Sequence, residues 1–177
     1  MVRAACELAV KGSPSTPFTV ALHDAHGLTS KIRRLEESKG DAMLTRHADL
    51  PPEQEAIVSS VIGCAIAVHR ELGPGFKESI YHTAFRLELE SRGISYESEK
   101  PIQVKYRAWT IPGQKVDLIV ERIVLVEIKA VPRLRVVHRC QVQSYLKTTG
   151  LPVGLLMNFN ARLLKQGLQR VTPLGPR

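Results

Sequence analysis

Asp117, Glu127 and Lys129 are the residues of this chain whose types and spacing could do chemistry together. Asp117 lies in Val116-Asp117-Leu118-Ile119-Val120, and Glu127 and Lys129 in Ile123-Val124-Leu125-Val126-Glu127-Ile128-Lys129. Both segments are rich in β-branched residues and read as strands of one hairpin. The register of that hairpin decides whether the three residues meet. With the two-residue loop Glu121-Arg122, Val120 pairs with Ile123, and Asp117 and Glu127 fall on different faces. With the three-residue loop Glu121-Arg122-Ile123, Val120 pairs with Val124 and Asp117 lies opposite Glu127, their β-carbons roughly 4.5–5.5 Å apart. Lys129 then shares that face, while Val116, Leu118, Val120, Val124, Val126 and Ile128 share the other. One register makes both a core and a polar site, so the three-residue loop is the reading adopted.

Two carboxylates held so close repel each other, and a half-buried sheet raises the cost unless positive charge sits between them. A divalent cation answers that need. Mg2+ takes oxygen ligands octahedrally, typically one or two carboxylates with waters and a substrate phosphate, and Mn2+ is an accepted substitute. Such a cation stabilises charge on a phosphoryl oxygen and activates water, with Lys129 beside it to orient the attack. The plainer alternative is that Lys129 only neutralises Asp117 and Glu127 in an ion-pair cluster.

The elements that must position these residues follow from periodicity. After Pro51-Pro52-Glu53, residues Ile57, Val61, Cys64, Val68 and Leu72 recur at helical spacing up to Gly73-Pro74-Gly75. A second helix is expected over 77–92, with Ile80, Ala84, Leu87 and Ser91 along one side and Gly93 as its stop. Ile102, Val104 and Tyr106 alternate as in a strand. After the hairpin, 138–149 predicts a helix closed by Gly150, and Val153 to Phe159 is an apolar run of strand length. Residues 1–52 mix Gly, Ser, Pro and Thr with a charged stretch and read as a mobile N-terminal extension. A domain is expected over 53–172, and 173–177 read as a tail.

Of 177 residues, 44% are hydrophobic and 24% charged, which suits one globular domain with an appendage. Cys6, Cys64 and Cys140 lie far apart, without metal-site or disulfide spacing, which points to a reducing, cytoplasmic setting. No stretch approaches the length of a membrane span. The net charge of +8 is uneven, because residues 128–177 hold nine Lys or Arg and no acid. That asymmetry suits a surface meeting the phosphates of a nucleic acid, with Arg133, Arg135, Arg139 and Lys147 as candidate contacts, or else a solvated basic face. Trp109 is the single tryptophan, expected on a turn, and the aromatic residues form no regular stacking series, so a platform for single-stranded nucleic acid is not expected.

Gly75-Phe76-Lys77-Glu78-Ser79-Ile80-Tyr81 fits the pattern that names the GxxExxY proteins, a branch of the PD-(D/E)XK nuclease superfamily. The segments 62–75, 116–120, 126–130 and 140–151 resemble the same family in order, and the resemblance covers about residues 54–172. It implies an α/β, restriction-endonuclease-like αβββαβ core with a central mixed sheet flanked by helices. It further implies a metal site formed by Asp117, Glu127 and the backbone carbonyl of Ile128, with Glu78 approaching the metal or its waters, and DNA or RNA as substrate. Gln141 and Tyr145 match a Gln-x-x-x-Tyr pattern, one helix face at i, i+4, so Gln141 could hold Lys129 or a phosphate. His69 also matches a family histidine and is read as either an accessory group or a hydrogen-bonded structural one. The chain departs from the family in having Glu121-Arg122-Ile123 where the hairpin loop commonly has Gly. A metal-dependent phosphodiesterase, an inactive nucleic-acid-binding module and a protein-interaction module are the three functional classes these features admit. Oligomeric state is left open.

Overall fold

The computed structural model describes residues 50–174. Most of the extension read at 1–52, Cys6 and most of the 173–177 tail therefore lie outside the described residues. Helix α1 (Pro52–Leu72) begins with a proline in its first turn, where no backbone donor is lost, and with Glu53 and Glu55 at the positive end of the helix dipole. Its buried stripe runs through Val58, Val61, Cys64, Ala65 and Val68, and it stops at Gly73, whose φ of 66° a side chain would resist. Helix α2 (Glu78–Ser91) buries Tyr81, Phe85 and Leu89, one residue every turn.

That stripe corrects the expected one. Ile80 and Leu87 are exposed and Ser91 faces solvent, whereas Ala84 packs against the core. The larger aromatic surfaces of Tyr81 and Phe85 determine the rotation of the helix, because burying them removes more apolar area from water than burying Ile80 and Leu87 would.

Five strands follow: β1 (Tyr96–Tyr106), β2 (Trp109–Val120), β3 (Val124–Lys129), β4 (Val153–Asn158) and β5 (Leu168–Val171), with α3 (Val136–Thr149) between β3 and β4 and the single turn α4 (Leu164–Gly167) before β5. They form one mixed sheet in the order β1-β2-β3-β4-β5, parallel only between β3 and β4. The αβββαβ order read from the sequence holds, with one helix in front of it and α4 and β5 behind. Helices α1 and α2 cover one face over Leu118, Val120, Val124, Val126 and Ile128, and α3 covers the other over Ile119, Leu125 and Leu156. Buried from both sides, β3 and β4 are continuous apolar runs apart from Glu127, Asn158 and the strand-end Lys129.

The hairpin adopts the three-residue loop. Val120 pairs with Val124, Ile119 with Leu125 and Leu118 with Val126. Glu121 and Arg122 take φ values of 50° and 58°, the left-handed region that Gly commonly fills. The strain is offset at Ser95, whose carbonyl accepts the Glu121 N–H at 2.9 Å and whose N–H donates to Glu121 Oε1 at 2.7 Å. One position departs from the expected faces. Val116 is buried with Ile102, Ile119 and Leu125 under α3, not with Leu118 and Val126. The β1–β2 ladder passes from Ser98↔Leu118 to Lys100↔Val116 over Glu99, itself at φ 49°, and this irregularity beside Asp117 breaks the alternation.

Helix α3 lies tight on β4 at Gly154, where an added Cβ would stand 2.5 Å from Val142 Cγ1. Gly154→Ala is therefore expected to destabilise the fold by roughly 1–3 kcal/mol through overpacking. Val142→Ala in the same chain should recover part of that loss, measured by denaturant unfolding. No loss in the single variant would contradict the close approach.

Candidate active site

Asp117 stands where β2 leaves β3. Backbone pairing between the two strands ends at Leu118↔Val126, and beyond it the Asp117 carboxylate takes over, Oδ2 accepting the Ile128 N–H at 2.8 Å. A side chain here replaces a ladder carbonyl, which keeps a buried donor satisfied while turning a charge toward Glu127. Glu127 is 2% exposed. Lys129, two residues on and hence on the same face, donates Nζ to Glu127 Oε1 at 2.6 Å. Glu127 Oε2 is buried and has no hydrogen-bond partner among the described residues.

The electrostatics follow from that burial. Loss of solvent first, and the Asp117 charge second, push the Glu127 carboxyl up to about 7, with Lys129 opposing and Glu78 adding to the shift. Burial works against the charge on Lys129, but its hydrogen bond to Glu127 and the charges of Glu127, Glu78 and Asp117 together raise its pKa. A carboxylate so destabilised attracts either a proton or a cation.

The Gly75-x-x-Glu78-x-x-Tyr81 pattern acquires a physical meaning in the turn leading to α2. Gly75 has φ 111°, and the buried Tyr81 hydroxyl donates to the Gly73 carbonyl at 2.7 Å and accepts the Phe76 N–H at 3.1 Å. Glu78, first residue of α2, is thereby held where its Oε2 accepts the Ala130 N–H at 3.1 Å, immediately after Lys129. The resemblance singles out Glu78, whereas Tyr81, though part of the same pattern, shows its role as the tie of this turn only in the structure. Buried Asn158 was equally hidden in its apolar run. It pairs across from Lys129, bonds both the N–H and the carbonyl of Val131, and so fixes the bend after β3. His82, whose Nε2 is 3.4 Å from the Asp117 carbonyl, is a further neighbour that the sequence left unmarked.

The other sequence candidates divide. Gln141 and Tyr145 do share one face of α3, but Gln141 Nε2 donates to the Tyr145 hydroxyl at 2.7 Å and makes no hydrogen bond to Lys129 among the described residues. Gln114 of β2 donates to the same hydroxyl, so the group braces α3 over the root of β2. Burial raises the Tyr145 pKa, and the charges of Glu127, Lys129 and Asp117 are all felt there. His69 is engaged elsewhere, with Nε2 donating to the Ala161 carbonyl at 2.8 Å and its ring tilted against Phe159. That is the structural alternative of the two readings. Arg133 and Arg135 are exposed on the segment after Lys129, and half-buried Arg139 is in the first turn of α3. Lys147 lies in the last turn, roughly 12 Å along the helix axis from Arg139.

Among the described residues, no three His, Cys, Asp or Glu side chains converge as a ready metal cage. The donors at hand are Glu127 Oε2, Asp117 and the Ile128 carbonyl, all hard oxygens, with Glu78 nearby. That set suits a cation that keeps several waters and takes only one or two carboxylates, and the unpartnered Glu127 oxygen is the observation that fits it. No helix among the described residues is long and apolar enough to cross a membrane.

The model of the PD-(D/E)XK nuclease superfamily matches residues 55–171. No curated protein and no solved structure matches the chain.

The raised Glu127 pKa gives a signed expectation for the protein in chelator. Between its ordinary value of 4.5 and about 7, folded Glu127 keeps a proton that the unfolded chain has lost, so stability falls as pH rises through this window. Glu127→Gln removes that dependence. Its melting temperature relative to the parent should climb from pH 4.5 to pH 8, equivalent to up to about 3 kcal/mol. A difference independent of pH would refute the assignment.

Proposed function

Because the chain belongs to the PD-(D/E)XK nuclease superfamily, we propose that it is a divalent-metal-dependent phosphodiesterase of the GxxExxY type, acting on DNA or RNA. The observation that carries this reading is the buried Glu127 carboxylate with one oxygen unpartnered, set beside Asp117 and Lys129 at the end of β3. An ion-pair cluster built only for stability would satisfy both oxygens, since an orphaned buried acceptor costs more than its partner contributes.

Asp117, Glu127 and the Ile128 carbonyl would hold Mg2+, or Mn2+ in its place. Bound there, the cation would supply charge neutralisation at the phosphoryl group and lower the pKa of water. The chain's own residues do the rest. Lys129 presents an ammonium to the phosphoryl oxygens, where charge accumulates during displacement. Glu78, through Ala130, fixes the end of β3 and adds negative charge on the cation's side. The Gln141–Tyr145–Gln114 brace keeps α3 at a constant distance from β2. Exposed Arg133 and Arg135, with Arg139 behind them and Lys147 further along α3, take flanking phosphates. Cys64 and Cys140 stand as free thiols, in keeping with a reducing, cytoplasmic setting.

Purified protein incubated with single- and double-stranded DNA and RNA should cleave at least one of them with Mg2+ or Mn2+ and none in chelator. Asp117→Asn and Lys129→Ala should each lower the rate by about 100-fold or more, the scale of losing one charge-stabilising group. Cleavage retained in both variants would sink the site. Salt-dependent binding without cleavage in either metal would identify a binding module.

A further inference from the structure

Beyond the root of the hairpin, β1 and β2 leave the body of the sheet as a two-stranded ribbon. The root is packed, since Ile102 and Val116 are buried under α3 and Gln114 bonds Tyr145. A bulge follows, where pairing shifts between Ile102↔Gln114 and Val104↔Ile111 and Gly113 takes φ 112°. Past it the strands pair only with each other, and the tip projects about 10 Å before the turn at Arg107.

The side chains on this tip are the reverse of what a solvated hairpin needs. Val104 pairs directly with Ile111, and Tyr106 with Trp109, so all four lie on one face. They are 39%, 49%, 56% and 73% exposed respectively. A two-stranded hairpin is marginal alone, and a contiguous apolar patch in water marks a surface that meets something. The surrounding charge indicates what it meets. Residues 103–116 contain Lys105, Arg107 and Lys115 and no acid, Lys100 being paired with Glu97 at 2.8 Å, and the Arg107 guanidinium lies 5.4 Å from the Tyr106 ring centroid. Orientation adds a third argument. Antiparallel pairing with β3 runs β2 from Leu118 back toward Trp109 in the direction in which β3 ends at Lys129, so the tip projects from the end of the sheet that carries Lys129.

We propose that the tip of the β1–β2 ribbon is a stacking platform for unpaired bases, gripping a single-stranded stretch of the nucleic acid presented to the Asp117–Glu127–Lys129 site. The proposal rests on the phosphodiesterase reading of that site. Flat Trp109 and Tyr106 faces accept any base, Val104 and Ile111 extend the apolar floor, and Arg107, beside the Tyr106 ring, meets the backbone. The aromatic series escapes a reading along the chain because it is assembled across two strands.

Trp109 is the only tryptophan, so its fluorescence reports this one position. Titration of the full-length protein in chelator with single-stranded oligodeoxynucleotide or oligoribonucleotide should quench that emission, more weakly as salt rises. Trp109→Ala, at an exposed site, should leave the thermal melt unchanged and weaken binding by about ten-fold or more, read by fluorescence anisotropy of a labelled oligonucleotide. Tyr106→Ala should reduce the quenching of Trp109 at the same oligonucleotide concentration. Absence of quenching, unchanged affinity in Trp109→Ala, or equal quenching by a blunt duplex would each overturn the proposal. So would self-association in sedimentation that Trp109→Ala abolishes without any oligonucleotide effect, which would assign the face to a second copy of the chain. Quenching in a protein that never cleaves would remove turnover and keep the ribbon, whereas cleavage without quenching would do the reverse.

Discussion

A carboxylate in the middle strand of a sheet, laddered to a strand on one side, flanked by an acidic side chain on the other and covered by helices, is held away from the water that would solvate its charge. Glu127 is in that position, opposite Leu156 on β4 and beside the Asp117 side chain from β2. Burial disfavours its charge, and no movement of the side chain relieves this, because β3 is buried along its length. The surrounding groups are arranged in response. Lys129 satisfies one oxygen, Asp117 is held by a backbone N–H and not by a cation of the protein, and the second Glu127 oxygen is left without a protein partner. Full neutralisation from within would have been simpler with a second Lys or Arg, and among the described residues none bonds Asp117 or that oxygen.

This central part was legible because it rests on a period of two. In the stretch from Leu118 to Lys129 only one register groups Leu118, Val120, Val124, Val126 and Ile128 on one face and Asp117, Glu127 and Lys129 on the other, and the structure has that register even though the loop holds Glu121 and Arg122 where Gly is easier. Helical faces were read less well. In α2 the spacing of Ile80, Ala84 and Leu87 looks as apolar as that of Tyr81, Phe85 and Leu89, and only the area of the two aromatics decides between them. Strand β5 was missed because Leu168-Gln169-Arg170-Val171 is four residues long with a polar middle. Its Arg170 is explained by a bond no local pattern contains, a bidentate pair with Glu55 of α1 at 2.9 and 2.6 Å.

Site residues divide along the same line. Those on strands, Asp117, Glu127 and Lys129, follow from alternation. Those that act by reaching between elements do not. Glu78 spans from α2 to Ala130, Asn158 from β4 to Val131, and Gln114 from β2 to Tyr145, all long-range contacts fixed by how the layers dock. His69 illustrates the converse. Its position on α1 suggests access to the site, yet docking of α1 against the 159–161 segment commits its ring to the Ala161 carbonyl.

The acidic site and the free ribbon have one origin. Backbone pairing of β2 with β3 stops at Leu118, and at the next residue Asp117 substitutes its carboxylate for the carbonyl that would have continued the ladder. Alternation from Ile119 and Leu125 already puts Asp117 and Glu127 on one face; had the ladder gone on, the ribbon from Val116 to Trp109 would have kept a third strand beside it. The break instead leaves the Ile128 N–H to the Asp117 carboxylate and β2 to pair with β1 alone. It also explains why Val116 lies under α3 with Ile102, since the alternation restarts after the interruption. The end of the ladder at Leu118 thus frees the Asp117 carboxylate for the Ile128 N–H and leaves the ribbon with two strands, and the second irregularity, between Ile102 and Val104, separates its packed root from its exposed tip. Extending the β2–β3 pairing past Asp117 would remove both the free carboxylate and the two-stranded ribbon, which is why the acidic site and the ribbon stand at the same end of β3.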